Sequence, residues 1–400
     1  MRILYLHQYF CPPGGSGNNR SYELARTWVE AGHQVTFITS WAYFPKSADL
    51  SARAGIEVNG IHLEVLDVPY SHDMSFRWRV RSWLAFYRKA KATARKMGPF
   101  DLIYASSTPL TMGELGRRLS RRWGIPFVFE TVDVWPDVPI GMGVVRSRAL
   151  IWLLHGLTNR IYREAASIVA LSEGMREQVL SHGVAGEKVE VVHNGTNPAA
   201  FDYVERPQRA GCRVIYTGTV GLANGLDVLV DAAARLHEMG RRDIEFLVVG
   251  KGNDHARVLA YAEEKGLPNL VFKDRVPKEK VPDLLANADV GLVCFALHRV
   301  LEANSANKFY DYLASGLPVV TNYEGWQAEY MREYGCGLPA QQGDLEGLVG
   351  NIVRLADRPE LRKEMGLAGR KLVEERFDRG QLAQRLLQIF EAALEKKAGK

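Results

Sequence analysis

The sequence has few cysteines and lacks long apolar runs. Its four cysteines are far apart in 400 residues, without the spacing of a metal site or a disulfide scaffold, and are Cys11, Cys212, Cys294 and Cys336. We expect reduced thiols in a cytoplasmic protein. No stretch approaches the roughly 20 apolar residues that a membrane-spanning helix needs. The first six residues are too short for the apolar part of a signal peptide, so the chain is predicted to be soluble or to sit on a membrane surface.

Charge is mild overall but unevenly distributed. The formal net charge is +5, and the length suggests about two domains. The first 200 residues carry 23 basic and 17 acidic residues, whereas the remainder carries 28 and 29. The positive excess therefore lies in the first half, where it would suit nucleic acid or an anionic membrane surface.

Acidic residues are absent from the segment 75–96, which is rich in basic and aromatic residues. The basic residues are Arg77, Arg79, Arg81, Arg88, Lys89, Lys91, Arg95 and Lys96, and the aromatic residues are Phe76, Trp78, Trp83, Phe86 and Tyr87. Such a helix is typical of membrane interfaces. The alternative is a surface helix whose aromatic face packs on the sheet while arginine stems cover apolar neighbours. We favour the membrane interpretation because acids are missing, and we expect no nucleic acid because no RNA-binding motif accompanies the helix.

A second amphipathic segment, 146–166, contains five consecutive apolar residues, 150–154. Runs of this kind more often belong to a protein core than to a membrane surface. A hairpin is predicted at 55–68, and the polar, proline-containing segment 197–209 suits a linker. From Gly343 to the end the pattern is helical.

The order strand, glycine turn, helix occurs twice. The first copy has a strand at Arg2–Tyr5, glycines 14, 15 and 17, and a helix at Arg20–Ala31; the second has a strand at Arg213–Thr217, glycines 218 and 221, and a helix at Leu226–Met239. Each copy is the start of a Rossmann-like unit. The first lacks the dinucleotide fingerprint, because no acidic residue ends the next strand, 35–40. These glycines either let the backbone approach a ligand or simply form tight turns.

Acidic residues also cluster after the predicted strand 126–131. Asp133 belongs to the run Glu130-Thr-Val-Asp-Val-Trp-Pro-Asp137. Acids at the carboxyl end of a strand are typical of a site. The alternative is that Asp133 caps the following turn.

The stretch Asn304–Val320 is the most informative. Its apolar spacing predicts a helix from Asn307 to Gly316, followed by a buried strand at Val319–Thr321 and preceded by another at Val290–Phe295. Lys308 lies in the first helical turn, where free N–H groups and its charge suit an anion. Asp311 lies one turn further on, where a carboxylate suits sugar hydroxyls. A phosphate site beside a ribose site describes a nucleotide, although a buried helix with an incidental lysine and aspartate is the plainer interpretation.

This stretch resembles the donor motif of retaining GT-B glycosyltransferases, of the family 4 or group 1 type. The opening His7–Gly15, with Arg20 and Gly32-His33, and the pair Asn194-Gly195 resemble the same family, and the matches run in order from His7 to Phe377. The resemblance implies an α/β GT-B fold of two Rossmann-like domains facing across a cleft, with a C-terminal crossover helix. The implied boundaries are 1–197 for the acceptor-side domain, 198–378 for the nucleotide-sugar domain and 379–400 for the helix.

The resemblance also assigns site residues. Asp311 stands at the second acidic position of the motif, but Ala303 stands at the first, with Glu302 one place away. Glu302 or the loop of Asn304, Ser305 and Ala306 is expected to hold sugar hydroxyls. Donor phosphates are expected at Lys308 and at the turn of Gly218 and Gly221. The loop of Gly14, Gly15 and Gly17 is expected to close over the donor phosphates or the transferred sugar. From its place after a strand, the turn at Gly250 either lies against the base or is a plain turn.

Several positions depart from the family pattern. Val132 replaces a histidine, which leaves Asp133 to contact the sugar or the acceptor hydroxyl. Thr219 and Asn224 stand where the family has basic residues, so Lys308, backbone amides and Lys251 are left as anion ligands.

The implied activity is sugar transfer with retention from a nucleotide-sugar donor, UDP-linked, such as UDP-N-acetylhexosamine. The form of the motif is similar to the subgroup that builds lipid-linked O-antigen and capsule units, which implies a lipid-linked saccharide acceptor at the inner face of the membrane. The family requires no metal or other cofactor. Two alternatives stay open: a nucleotide-sugar 2-epimerase on the same scaffold, and a non-catalytic scaffold protein, which the missing acid, histidine and phosphate-binding lysine favour.

Overall fold

The chain forms two compact units. The computed structural model describes residues 1–15, 17–45, 55–71, 74–203 and 211–399. Unit 1 comprises Met1–His193 together with Arg379–Lys400, and unit 2 comprises Asn194–Asp378. The end of the predicted linker, 204–209, lies outside the described residues.

Unit 1 is built on an eight-stranded sheet. Its strands are β1 (Arg2–Leu6), β2 (Gln34–Ser40), β3 (Ile56–Val58), β4 (Ile61–Leu66), β5 (Leu102–Ser106), β6 (Phe127–Thr131), β7 (Ser167–Ala170) and β8 (Val189–Val191). Its helices are α1 (Arg20–Glu30), α2 (Phe76–Ala94), α3 (Thr111–Trp123), α4 (Asp137–Gly141), α5 (Arg148–Glu164), α6 (Glu173–Ser181) and, from the end of the chain, α14 (Arg379–Ala398). The order is β3-β4-β2-β1-β5-β6-β7-β8, and every pair is parallel except the predicted hairpin β3–β4.

The core of unit 1 depends on the C-terminal helix. Trp28 of α1 donates from Nε1 to the carbonyl oxygen of Ala383 at 2.9 Å, and its ring lies 5.1 Å from that of Phe390. Phe390 also packs against Tyr104 of β5, with ring centroids 5.0 Å apart. Helix α14 therefore completes the apolar layer on one face of this sheet.

Unit 2 contains a six-stranded parallel sheet with the order β11-β10-β9-β12-β13-β14. Its strands are β9 (Cys212–Thr217), β10 (Ile244–Val249), β11 (Leu270–Lys273), β12 (Val290–Val293), β13 (Val319–Thr321) and β14 (Gly337–Pro339). Its helices are α7 (Asp227–Glu238), α8 (His255–Lys265), α9 (Val281–Ala286), α10 (Asn307–Ala314), α11 (Trp326–Tyr334), α12 (Leu345–Asp357) and α13 (Pro359–Leu372). Two parallel Rossmann-like sheets match the predicted fold class. The carboxyl ends of the central strands, where such sheets bind ligands, meet at one edge.

The basic and aromatic helix α2 has a buried stripe. Trp83, Phe86 and Ala90 are buried, and α2 packs against α3, β2 and β4. Trp78 and Leu84 are exposed, and the Arg81 guanidinium lies 4.8 Å from the Trp78 ring centroid. Trp83 and Phe86 thus belong to the core, as the packing alternative predicted, whereas Trp78 does not. Among the described residues, no helix is long and apolar enough to cross a membrane.

The prediction that the apolar run 150–154 belongs to the core is wrong for most of it. Leu150 is 42%, Trp152 79% and Leu153 54% exposed. The buried residues of α5 are in its second half, where Thr158, Ile161 and Tyr162 pack inward. The first half of α5 therefore presents an apolar surface to solvent.

Candidate functional site

Two glycine turns meet at the carboxyl edge of the unit 2 sheet. Gly218 follows β9 and donates from its N–H to the carbonyl oxygen of Val249 at 3.0 Å. Gly250 follows β10 with φ of +154°, and a Cβ there would collide with the carbonyl oxygen of Gly218. The next loop residues are joined as well, because Val220 N–H donates to the carbonyl oxygen of Lys251 at 3.2 Å. Only glycine permits this backbone-to-backbone approach, which leaves a side-chain-free surface at the strand ends.

Lys308 lies directly beside this surface. Its Nζ is 4.3 Å from the ring centroid of Tyr216 and donates to the Tyr216 hydroxyl at 3.2 Å. A Cβ on Gly218 would lie 3.1 Å from Lys308 Cε. Burial lowers the pKa of Lys308 to about 8, and the nearby Cys294 and Asp311 offset part of that shift. The structure therefore brings Lys308, Gly218 and Gly250 together. The Lys308 amine, whose charge depends on pH, lies beside the backbone of these two turns.

The loop before α10 is fixed by hydrogen bonds to its carbonyl groups. The Asn304 carbonyl oxygen accepts from Trp326 Nε1 at 3.0 Å, and that of Ser305 accepts from Asn194 Nδ2 at 2.6 Å. The Ser305 and Tyr310 hydroxyls lie 2.7 Å apart. The N-cap residue is Ala306, whose methyl group cannot accept from the first turn. The N–H groups at the start of α10 are thus positioned for an anion.

Asp311 already has two partners inside unit 2. Its carboxylate is buried; Oδ1 accepts from Thr196 Oγ1 at 2.9 Å, and Oδ2 forms an ion pair with Lys278. An ionised carboxylate offers about four acceptor positions, so two remain for hydroxyl groups. Lys278 was missed by sequence reasoning, because it lies 33 positions away and no local pattern joins it to Asp311.

Glu302 lies in the short 3-10 turn Arg299–Ala303 that follows β12. Burial raises the pKa of Glu302, as does the neighbouring Glu324, whereas Arg299 lowers it. Gly325 packs against this turn, since a Cβ there would lie 2.8 Å from the Glu302 carbonyl oxygen. Gly221 lies apart from Glu302, in the turn after β9, close to Asn253.

The remaining predicted residues belong to unit 1. Gly15 and Gly17 pack against Tyr43, and a Cβ at either would overlap with that residue. Gly17 N–H lies 3.2 Å from Cys11 Sγ, Gly15 N–H donates to the Pro12 carbonyl oxygen at 3.0 Å, and Gly14 has φ of +76°. Gly15 and Gly17 are therefore required by close packing against the loop that follows β2, and Gly14 by its backbone conformation.

Asp133 follows β6 and is held by two side chains of the neighbouring loop. Thr108 Oγ1 donates to Asp133 Oδ2 at 3.3 Å, and Ser107 Oγ donates to the Asp133 carbonyl oxygen at 2.9 Å. Burial raises the pKa of Asp133, and the Thr108 bond partly opposes this. The following helix, α4, has Pro136 as its N-cap, so the capping alternative for Asp133 is wrong.

The sequence did not predict two side-chain clusters of unit 1, a buried ion pair and a group of possible metal ligands. Arg20 and Glu130 form a buried ion pair. Burial alone would raise the pKa of Glu130, but Arg20 and the Ser106 hydroxyl hold it below its ordinary value. Asp137, His155 and His182 form a cluster of three side chains that could hold a metal ion. Their sequence separation hides this cluster, since the three lie on different elements.

Comparison with known proteins covers both units. Residues 15–195 match the family model "Glycosyl transferase 4-like domain", and residues 211–358 match "Glycosyl transferases group 1". The chain is 28% identical over 339 residues to 2-deoxystreptamine glucosyltransferase of Streptomyces kanamyceticus, covering 79% of this chain and 84% of that protein. It is 26% identical over 196 residues to the putative colanic acid biosynthesis glycosyl transferase WcaI of Escherichia coli, covering 44% and 46%.

A solved structure shows the same fold. The Anabaena Alr3699/HepE structure in complex with UDP-glucose superposes with a TM-score of 0.71 at 17% identity, covering 98% of this chain and 100% of that one. This likeness supports the GT-B fold. Since the two family models together span most of both units, the chain belongs to the group 1 glycosyltransferases.

Proposed function

We propose that this glycosyltransferase transfers a sugar, with retention of configuration, from a UDP-linked donor to a lipid-linked saccharide in cell-surface polysaccharide synthesis. The observation that carries the donor assignment is the cluster of Lys308 with the Gly218 and Gly250 turns. It combines a half-buried cation, open backbone and a helix start, which suits a diphosphate. The UDP-glucose of the HepE complex supports a UDP-linked donor, and the name of WcaI supports polysaccharide synthesis.

The proposed chemistry assigns one task to each group. The bond between the sugar anomeric carbon and the diphosphate breaks, and a bond from that carbon to the acceptor oxygen forms on the same face. Lys308 and the turn amides stabilise the charge that develops on the departing diphosphate. Asp311 binds the ribose through its remaining acceptor positions, and Glu302 with Asn304–Ala306 holds sugar hydroxyls. The acceptor hydroxyl passes its proton to the departing diphosphate oxygen, which has gained the electron pair of the broken bond, and Asp133 is proposed to contact that hydroxyl or the sugar.

Donor turnover tests this function without knowledge of the acceptor. The purified chain is incubated with UDP-glucose, UDP-galactose or UDP-N-acetylglucosamine, and proton NMR follows the anomeric signal of the released or transferred sugar. Retention predicts that an α-linked donor first gives the α product. A β product would contradict the retaining assignment. Formation of a C2 epimer would support the isomerase, and binding without turnover in the presence of lipid-linked acceptors would support the scaffold protein.

The pH dependence of donor binding is expected to follow Lys308. Because burial lowers its pKa to about 8, the free amine loses its charge as the pH rises through that value. A bound diphosphate favours the charged form, so UDP affinity is expected to be constant between about pH 7, where the UDP phosphates are ionised, and about pH 8, and to fall by up to about tenfold per pH unit above that. Calorimetric titration at several pH values measures this. Lys308→Arg, whose guanidinium stays charged, should bind with little pH dependence over the same range. A wild-type affinity that is equally flat would contradict the assignment.

An anionic membrane surface is the proposed location of the acceptor. Helix α2 and the start of α5 carry exposed apolar residues, namely Trp78, Leu84, Leu150, Trp152 and Leu153. Exposed basic residues accompany them, including Arg77, Arg81, Arg88, Lys89, Arg146 and Arg148. Apolar insertion combined with basic charge is how interfacial helices bind anionic lipids.

Changing the α5 surface is expected to weaken vesicle binding. The triple change Leu150→Ser, Trp152→Ser and Leu153→Ser should lower partitioning onto phosphatidylglycerol vesicles by about tenfold or more, because it removes apolar area that enters the lipid. Co-sedimentation measures the bound fraction. The matched control is Leu297→Ser, an exposed leucine of unit 2 that should leave partitioning unchanged. Equal partitioning of the triple variant and the wild type would refute this location.

A further inference from the structure

Three side chains with metal-binding atoms converge in unit 1. Asp137 is the first residue of α4, His155 lies in the middle of α5, and His182 follows α6. One possible ligand atom from each lies within 4.8 Å of the other two. The imidazole rings of His155 and His182 have centroids 5.3 Å apart. Two histidines and a carboxylate are donors that Zn²⁺ binds well.

The hydrogen bonds of His182 favour a cation at this position. Its Nδ1 lies 2.8 Å from Asn159 Oδ1, and its Nε2 lies 2.8 Å from Asp137 Oδ2. The tautomer decides which ring nitrogen donates. When Nδ1–H points to the amide oxygen, the lone pair of Nε2 faces the carboxylate, and a metal ion can bind to both. His155 adds a third donor, which a plain histidine–aspartate hydrogen bond does not need.

The surroundings fit a bound ion. A metal-binding histidine is usually held in orientation by a hydrogen bond to its other ring nitrogen, and Asn159 provides that hydrogen bond to His182. It lies one turn after His155 on α5, so both side chains share a helix face. The His182 side chain is 6% exposed, whereas that of Asp137 is 28% exposed, which leaves a route for an ion from solvent. Tyr162 packs edge-on against His182, with ring centroids 5.4 Å apart.

We propose that Asp137, His155 and His182 bind Zn²⁺ through three protein ligands, with a fourth position open to water. The ion would join α4, α5 and α6. Since Asp137 lies four residues after Asp133, it would also anchor the segment that carries Asp133. This site is separate from the donor cluster of unit 2 and does not depend on the proposed transfer reaction.

The test is binding of ZnCl₂ to the untagged full-length chain, followed by calorimetry, with Co²⁺ absorption as a check on four-coordinate geometry. We expect one ion per chain. His155→Ala should weaken affinity by about 100-fold or more because it removes a ligand, and Asn159→Ala should weaken it by about 10- to 100-fold as an outer partner. The matched control is His62→Ala, which removes a histidine paired with Glu64 at 3.2 Å on β4 and should leave the affinity unchanged.

His155→Ala leaves both hydrogen bonds of His182 in place, so metal-free thermal unfolding should match the wild type. If that variant does not fold, His155→Gln and Asn159→Ala carry the test. The proposal is overturned if the wild type binds no stoichiometric Zn²⁺, which would leave a proton-bridged network. It is also overturned if the His155 variants bind as tightly as the wild type, which would indicate adventitious surface binding.

Discussion

Replacing Lys308 by alanine is expected to lower the turnover number for sugar transfer by about 100- to 1,000-fold, the usual effect of removing one fixed donor from a developing oxyanion. The reason is that Lys308 Nζ is held against the Tyr216 ring beside the Gly218 turn, where it supplies a fixed positive charge. The measurement is initial-rate kinetics with the donor that the wild type uses, together with calorimetric titration of UDP.

Two controls separate charge from folding. Lys273→Ala removes an exposed lysine at the end of β11 and should leave the turnover number unchanged. Thermal unfolding should show that Lys308→Ala is folded. Full activity in a folded Lys308→Ala variant would contradict the assignment of the donor site to residues 304–320, whatever the controls show.

Replacing Glu130 by alanine is expected to lower the free energy of unfolding of unit 1 by about 3–5 kcal/mol, because it leaves the buried Arg20 without its counter-charge. The Ser106 hydroxyl, which donates to Glu130 Oε2 at 2.6 Å, also loses its acceptor. Urea unfolding followed by tryptophan fluorescence measures this, since seven of the eight tryptophans belong to unit 1.

The comparison variant is Glu30→Ala, which breaks an exposed pair with Arg26 in the same unit and should cost less than about 1 kcal/mol. A second variant tests the cause. Changing Arg20→Met and Glu130→Leu together should restore most of the loss, because a buried ion pair can be exchanged for apolar residues of similar volume. If Glu130→Ala unfolds at the same urea concentration as Glu30→Ala, the Arg20–Glu130 pair does not stabilise unit 1.

Local patterns were sufficient for the elements that form the fold. The two strand–glycine–helix openings, the hairpin at 55–68 and the helix that stops at Gly316 were all predictable, because each has its own periodicity and breaker residues. Helix α11 and strand β14 were missed, since a short strand such as Gly337–Pro339 has no distinctive pattern.

The site was less predictable because its decisive contacts join distant segments. Lys308 and Asp311 could be chosen from their places on a helix, but the partner of Asp311, Lys278, is set by tertiary packing. The exposure of Trp152 was not predicted for the same reason, because an apolar run does not reveal which half of its helix the sheet covers. The roles of Asp133 and Glu302 in the reaction remain predictions.

The return of α14 to unit 1 has a consequence for how the protein is made. The ribosome completes β1 to β8 long before it reaches Phe390, so Trp28 and Tyr104 lack their final partner throughout the synthesis of unit 2. Unit 2, by contrast, is one continuous segment, and all its strands have been synthesised once residue 339 has been added. The part of the chain that is translated first is therefore the part that is finished last.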